Sequence, residues 1–342
     1  MKFTKIAAVI SGLLVVALVV AIFIEKSNTL ANQSFFGFQN ENIDTSDNNR
    51  EILLTRPSNW KKIIDTPVID LPDMNVIDGS TATIPITAEL LRQFYGFSDK
   101  KVEESHFTRH NTTHIAYENL INYYNIDELS NTVRLIFVTP PSESEKEQAK
   151  EKNVELDLTP IANDGFVFIT HKNNPVDSLT VEEIQLIYMG LITNWSQLGG
   201  EDLEIKAYQR EENSGSQTAM EQLVMQGKEM MKPLMNTKVN AMDDLVDFVA
   251  DYKNDSPSIG YTYYYYINNL YKNEDIKVLK VNGFAPTNDN LINNTYPFTT
   301  NYYAVMRGDE PENSPARKLR DFLISPKGQD LIAMAGYCKA VN

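Results

Sequence analysis

Cysteine is almost missing: Cys338 is the only one in 342 residues, so no disulfide can form within the chain. It comes late, so no cysteine follows the N-terminal apolar run and lipid attachment at that point is excluded. A lone late thiol reads as a small packed side chain. Histidine is also scarce. Of His106, His110, His114 and His171, only His110 and His114 share the i, i+4 spacing of one helix face. With no Glu motif or Cys beside them they match no established ligand pattern, so neither metal nor cofactor is expected. Ser214 sits in Asn-Ser-Gly-Ser, which is not a Gly-x-Ser-x-Gly elbow, and no ordered triad surrounds it. That argues against an enzyme. Positive charge is the last deficit: 31 Lys and Arg face 46 Asp and Glu, a net charge of -15. Such a chain repels nucleic acid and anionic membranes at long range. An anionic ligand is not excluded, because a buried site neutralises charge locally with dipoles and one Arg.

What is present is a chain that can fold. Apolar residues make up 42%, with 17 Tyr and 15 Phe, and the length suggests about two domains. Lys2 and Lys5 precede residues 6–24, which contain nothing more polar than Ser11 and Gly12. As a helix this run spans roughly 30 Å, the thickness of a bilayer core. Residues 1–26 are therefore a signal peptide, with Thr29-Leu30-Ala31 as a fair cleavage site, or an uncleaved membrane anchor, which fits the length better. Either way the chain after Lys26 lies outside, on the extracytoplasmic face or secreted. Residues 27–71 read as a flexible tether, rich in Asn, Ser and Asp, with some local structure around 52–60.

From residue 72 the elements alternate. A short strand is expected at 74–77, then small and hydroxyl residues, then a helix at 87–95 with Leu90, Leu91 and Phe94 at helical spacing. Residues 115–124 repeat that spacing, 135–138 form an apolar strand and 142–152 a charged helix. A strand at 165–170 precedes Thr180, which with Glu183 makes a capping box. Strands at 205–208 and 258–266, and helices at 217–225, 241–252, 314–322 and 327–335, complete the pattern. This predicts an α/β fold with mainly parallel sheets, which put ligands where strand C-ends meet helix N-ends. No internal repeat and no Gly-Ser or Pro-rich linker follows residue 72, so any lobes must be joined by strands. Tyr261 and Tyr263 to Tyr266 read as a half-buried strand, and Arg109 as a surface charge.

Two segments share one design. In residues 78–83 (DGSTAT) and 210–217 (REENSGSQ), small and hydroxyl residues stand between an apolar strand and a helix. A helix start offers unpaired N–H groups and a positive dipole end, and Gly lets the backbone approach an anion. Hydroxyls add donors, and Arg210 adds a fork suited to a tetrahedral oxyanion. Taken singly, each segment is equally a pair of helix caps.

The wider sequence resembles the phosphate-binding proteins of ABC importers. The resemblance is carried by residues 163–180 (NDGFVFITHKNNPVDSLT), 184–200 (IQLIYMGLITNWSQLGG), 208–217 (YQREENSGSQ), 258–261 (SIGY), 321–329 (DFLISPKGQ) and Gly336-Tyr337. It covers about residues 74 to 342, in order. It implies the type II periplasmic-binding-protein fold, two α/β lobes joined by crossing strands. Residues 72–163 would form the first part of lobe 1, 164–260 lobe 2, and 261–342 the second part of lobe 1. The ligand would be phosphate or a similar oxyanion, the partner an ABC importer permease, and the protein a monomer. Carried over by position, the ligand contacts are Ser80, Thr81 and Thr83, Thr112 and Thr113, then Arg210, Ser214, Gly215 and Ser216.

One departure matters. After the strand ending at Val138 the family usually has Ser with Asp or Arg, whereas this chain has Thr139-Pro140-Pro141, leaving Thr139 as the contact. An Asp acceptor would tell protonated phosphate from sulfate. Asp78, Asp164 and Glu211 are the available substitutes, each reading as structural or solvated. The departure keeps a second reading open, an anchored sensor or interaction domain of the same fold.

Overall fold

The computed structural model describes residues 54, 56–122, 132–233, 238–239, 242–251 and 257–340. Ile52–Asn342 forms one compact unit. The apolar run at 6–24, the signal-or-anchor reading and the tether through residue 53 lie outside the described residues. Among the described residues no helix is long and apolar enough to cross a membrane.

The main sheet is built from β1 (Ile77–Gly79), β2 (Leu135–Val138), β3 (Leu156–His171), β4 (Lys206–Ala207), β5 (Ser258–Tyr263), β6 (Ile276–Val278), β7 (Thr299–Arg307) and β8 (Cys338–Lys339). Its order is β1-β2-β7-β3-β5-β4, with β6 and β8 also pairing to β3. The 16-residue β3 organises the molecule. Its first part, Leu156 to Gly165, pairs with β7, and Phe166 to Thr170 pair with β5. One strand therefore belongs to both halves of the sheet, and the change of partner falls between Gly165 and Phe166. β2 and the Phe166 to Ile169 stretch are completely buried, as their unbroken apolar sequence requires.

The expectation of mainly parallel sheets is corrected. In this sheet only β1 with β2 and β4 with β5 run parallel; the five other pairings are antiparallel. The reason is topological: β3 carries the chain across, β7 brings it back, and strands lying side by side in opposite directions pair antiparallel. Past residue 261 the chain still pairs with the second half of β3 and with the segment after it. β6 still pairs with Ile169 to His171, and Lys280–Val281 pairs with Ser178–Leu179.

Helices α1 (Ile84–Tyr95), α2 (Thr113–Asn122), α3 (Glu143–Glu151), α4 (Val181–Tyr188), α5 (Gly215–Ala219, continuing as a π-helix over Met220–Met225), α6 (Met242–Ala250), α7 (Pro315–Ile324) and α8 (Pro326–Met334) complete the frame. Their ends follow local chemistry. Ser142 with Glu145 and Thr180 with Glu183 form reciprocal capping boxes. Gly96, at φ 69°, closes α1 by donating to Arg92 O and letting Phe97 N reach Leu91 O. The expected strand at 74–77 starts later, because Pro72 begins a 3-10 turn over Leu71–Val76.

Every residue of α1 from Ile84 to Phe94 is buried, including Glu89, Arg92 and Gln93. A surface helix cannot bury its polar face unless something covers it. The cover is the stretch expected to be the end of the tether. Leu54, Ile64 and Ile69 are buried. Trp60 Nε1 donates to Glu89 Oε1 at 2.8 Å, and Ile63 N donates to Gln93 Oε1 at 2.8 Å. Arg92 reaches Leu54 O, and Arg56 and Arg92 both reach Asp99 Oδ1, at 3.1 and 3.0 Å. Leu54 and residues 56–71 are thus an ordered strap, since each buried polar group of α1 needs the partner that the strap brings. Burial pushes the Glu89 carboxyl above its usual range, opposed by its bonds to Gln93 and Trp60.

Candidate functional site

β1 ends on Gly79, where nothing larger fits. A Cβ there would lie 2.5 Å from Phe137 O and 2.8 Å from His110 Nδ1. Ser80 N donates to Phe137 O at 2.9 Å, which prolongs the ladder by one residue before the chain turns through Thr81–Thr83 into α1. The Thr83 hydroxyl is committed to this turn, at 2.7 Å from Phe137 O and 2.9 Å from Ser80 O. Ser80 is buried and Thr81 half-buried.

His110 holds the same turn from the next segment. Its Nδ1 is 2.9 Å from Ser80 O and its Nε2 is 3.0 Å from Thr87 Oγ1. A carbonyl only accepts, so Nδ1 carries the proton and Nε2 accepts from Thr87. Burial lowers the His110 pKa, against the opposing pull of Asp78. Asp78 itself is saturated: Oδ1 accepts from Gly79 N and Asn111 N, and Oδ2 from Asn111 Nδ2 and Asn119 Nδ2. The 78–83 loop and the 110–113 segment are therefore one stitched unit. Thr112, whose carbonyl accepts from Ala116 N, takes φ 156°, and Thr113 is buried at the start of α2.

Thr139 follows β2 and is 1% exposed. Its carbonyl accepts from Tyr117 OH at 2.9 Å. Its Oγ1 lies beside the Tyr263 hydroxyl without the geometry of a hydrogen bond.

The opposing wall comes from the other end of the sheet. Gln209–Arg210 pairs with Lys238–Val239, and Arg210 N donates to Tyr261 OH at 3.0 Å and Gln217 Oε1 at 3.2 Å. The Arg210 guanidinium is buried, which lowers its pKa; Tyr261, Tyr266 and the acidic first turn of α6, Asp243 and Asp244, act the other way. Ser214 caps α5 by accepting from Gln217 N at 3.2 Å. Ser216 is 1% exposed and its hydroxyl has no hydrogen-bond partner. A buried hydroxyl left unbonded is costly, and a bound water or ion is one way to satisfy it.

The two walls touch. A Cβ on Gly215 would lie 2.5 Å from Thr139 Oγ1 and 2.6 Å from Thr113 Oγ1. Gln222 Nε2 donates to Pro141 O at 3.1 Å. At the floor, Tyr263 OH donates to Gly215 O at 2.9 Å, and Tyr337 OH donates to Ala82 O. The direct contacts between the two are made by Thr113, Thr139 and Pro141, while Ser80 and Thr81 stand on the neighbouring loop.

These distances sort the sequence-level candidates. Thr113 and Thr139 meet Gly215, and Ser216 follows it in the chain. Arg210 and Ser214 belong to the same loop, Thr83 is spent on its turn, and Thr112 is exposed. Glu211 is exposed, and Asp164 lies between Gly165 N and Tyr302 OH, away from the role of a substitute acceptor. His110 and His114 do not share partners, for His114 Nδ1 meets Glu145 Oε1 at 2.9 Å. Among the described residues no cluster could hold a metal ion. Two residues escape the sequence reading: His110, which has no motif beside it, and Tyr263, which reads as half-buried strand yet is 1% exposed. The alternation of Tyr261 and Tyr263 with Gly260 and Thr262 was the available signal for an inward aromatic face.

Residues 116–327 match the PBP superfamily domain. The chain belongs to the PBP superfamily. Among its curated relatives is the phosphate-binding protein PstS of Borreliella burgdorferi, 25% identical over 271 residues, covering 76% of this chain and 88% of that one. PstS of Staphylococcus aureus is 26% identical over 208 residues, 59% of this chain and 61% of that protein. A putative phosphate ABC transporter substrate-binding protein from Clostridium perfringens, solved with bound phosphate, is 26% identical with a TM-score of 0.57, over 77% of this chain and 98% of that one. An ABC-type phosphate transport receptor from Vibrio cholerae shares the fold at 24% identity and a TM-score of 0.53.

Proposed function

We propose that this PBP superfamily member is an extracytoplasmic binding protein that captures phosphate, or a similar tetrahedral oxyanion, and delivers it to an ABC importer. The observation that carries this is the meeting of Gly215 with Thr113 and Thr139 beside the unbonded Ser216 hydroxyl. Helix N-termini on both sides, short hydroxyl donors and one buried guanidinium make a cage for a small anion in a chain whose net charge is -15. The phosphate bound by the Clostridium perfringens relative and the names of the PstS relatives support the same ligand.

In this reading Ser80, Thr81, Thr113, Thr139, Arg210, Ser214, Gly215 and Ser216 line the site. Lobe 1 comprises the strap through Asn163 and the chain from β7 onward, and lobe 2 runs from Asp164 to the 280s. Closure of the lobes on the anion is the binding event. The protein acts as a binding protein rather than an enzyme, and residues 1–26, as a signal peptide or a membrane anchor, direct it to the extracytoplasmic side.

The missing carboxylate after β2 favours a second reading for the ligand's use, an anchored sensor of the same fold. Growth on limiting phosphate with the importer intact separates the two: a sensor mutant transports normally, and a transport mutant does not. The binding reading is tested with Arg210→Ala. Losing charge-assisted bonds of about 1.5–3 kcal/mol should weaken phosphate binding about ten- to a hundredfold in calorimetry. Unchanged affinity in this variant refutes the site.

A further inference from the structure

Beneath the cleft lies a carboxylate that oxyanion capture does not use. Asp164 is 2% exposed and stands one residue before β3 changes partner from β7 to β5. Its Oδ1 accepts from Gly165 N at 2.7 Å and Tyr265 N at 3.1 Å, and its Oδ2 from Tyr302 OH at 3.0 Å. The donors come from β3 itself, from the chain just past β5, and from β7. One side chain thus ties together the strands that cross between the two halves of the sheet.

The groups facing Asp164 are all acids of high pKa. They are Tyr263, Tyr264 and Tyr265 from β5 and its extension, Tyr302 on β7, and Tyr337 and Cys338 at β8. Its three hydrogen-bond donors are uncharged. Burial pushes the carboxyl up to about 7, with those three donors opposing. The cluster reaches both cleft walls. Tyr302 packs on Tyr263 at 5.5 Å and on Tyr337 at 5.6 Å between ring centroids. Tyr263 donates to Gly215 O and Tyr337 to Ala82 O, the two loops of the candidate site.

We propose that Asp164 is a positioning residue for cleft closure, acting through Tyr302, Tyr263 and Tyr337, and that the cleft closes on an anion with Asp164 protonated. The proposal rests on the oxyanion reading. Its physics is like-charge repulsion through a buried tyrosine cluster: an anion in the cleft favours the neutral carboxyl and raises its pKa further. Linkage then works in both directions, so proton binding strengthens anion binding by the same factor. The sign follows. Below neutral pH the carboxyl is already protonated and affinity is full; as pH rises through neutrality, binding must take up a proton and affinity falls.

The test uses the full-length chain in detergent, titrated with inorganic phosphate and with sulfate at pH 6 and pH 8. Sulfate keeps its charge over this range, so its slope reports the protein. Phosphate's own titration cancels when wild type and Asp164→Asn are compared. Wild type should lose about fivefold more affinity than Asp164→Asn between the two pH values. Tyr302→Phe removes a donor that favours the charged form, so the fall in affinity should move to higher pH. Equal slopes in wild type and Asp164→Asn, with saturable binding in both, overturn the proposal and leave oxyanion capture standing. An unmoved midpoint in Tyr302→Phe overturns it as well. If neither anion binds saturably at either pH, oxyanion capture fails and the proposal fails with it.

Discussion

Gly215 meets Thr139 so closely that a Cβ would stand 2.5 Å from the threonine Oγ1. The contact joins a helix start from one side of the cleft to the residue after β2 on the other. Gly215→Ala should therefore hold the cleft ajar. Overpacking of this kind costs about 1–3 kcal/mol, which predicts a phosphate affinity lower by roughly ten- to a hundredfold. The thermal midpoint should change little, because α5 itself accepts alanine. Calorimetry and a scattering profile checked with and without phosphate read both effects. Wild-type affinity in this variant contradicts a closed, Gly-dependent cleft.

His110 offers a finer test, because its two nitrogens have separate duties. Asparagine reproduces the Nδ1 donor that reaches Ser80 O, and glutamine reproduces the Nε2 acceptor that meets Thr87. His110→Asn should bind phosphate nearly as wild type does. His110→Gln leaves Ser80 O without its partner and should bind about five- to tenfold more weakly, the worth of one hydrogen bond of about 1 kcal/mol. Nitrogen chemical shifts of the ring should report the Nδ1–H tautomer in the wild type. Equal affinities for the two variants remove the tautomer argument.

The strap makes a prediction about stability rather than binding. Ile64 is 3% exposed against α1, and truncating a buried isoleucine costs about 2–5 kcal/mol. Ile64→Ala should lower the denaturation midpoint accordingly in urea melts. A change under about 0.5 kcal/mol, typical of surface sites, means that the strap is not packed as described.

Asp164 also sets a pH dependence of folding. Its folded pKa of about 7 stands above the model-peptide value of 3.8, so between those values the folded state holds more protons than the unfolded one. Stability from this group is full below about pH 4 and declines by up to about 1.4 kcal/mol per pH unit until pH 7. Asp164→Asn should remove that slope from denaturant melts taken between pH 5 and pH 7. An identical slope in both proteins contradicts a carboxyl held neutral by burial.

Much of this was legible in the residues themselves. Periodicity marked α1 and α2, the Thr180–Glu183 pair marked the start of α4, and the small-hydroxyl runs pointed to the two loops on which the proposal rests. What escaped depended on partners distant in sequence. The strap looks like tether because its polar composition is local, whereas its order comes from Glu89, Arg92 and Gln93 across about thirty residues of chain. The antiparallel pairings were hidden because a strand's direction depends on how the chain crosses and returns, which no periodicity records. His110 has no flanking motif at all, and only the folded chain puts Ser80 and Thr87 on its two nitrogens.

The most direct measurement is a crystal structure of the protein grown with inorganic phosphate. The expected result is one phosphate between the walls, within hydrogen-bond distance of Thr139 Oγ1, Ser216 Oγ and the Arg210 guanidinium. A phosphate bound outside this cleft, or a cleft still empty at saturating phosphate, contradicts the proposed site.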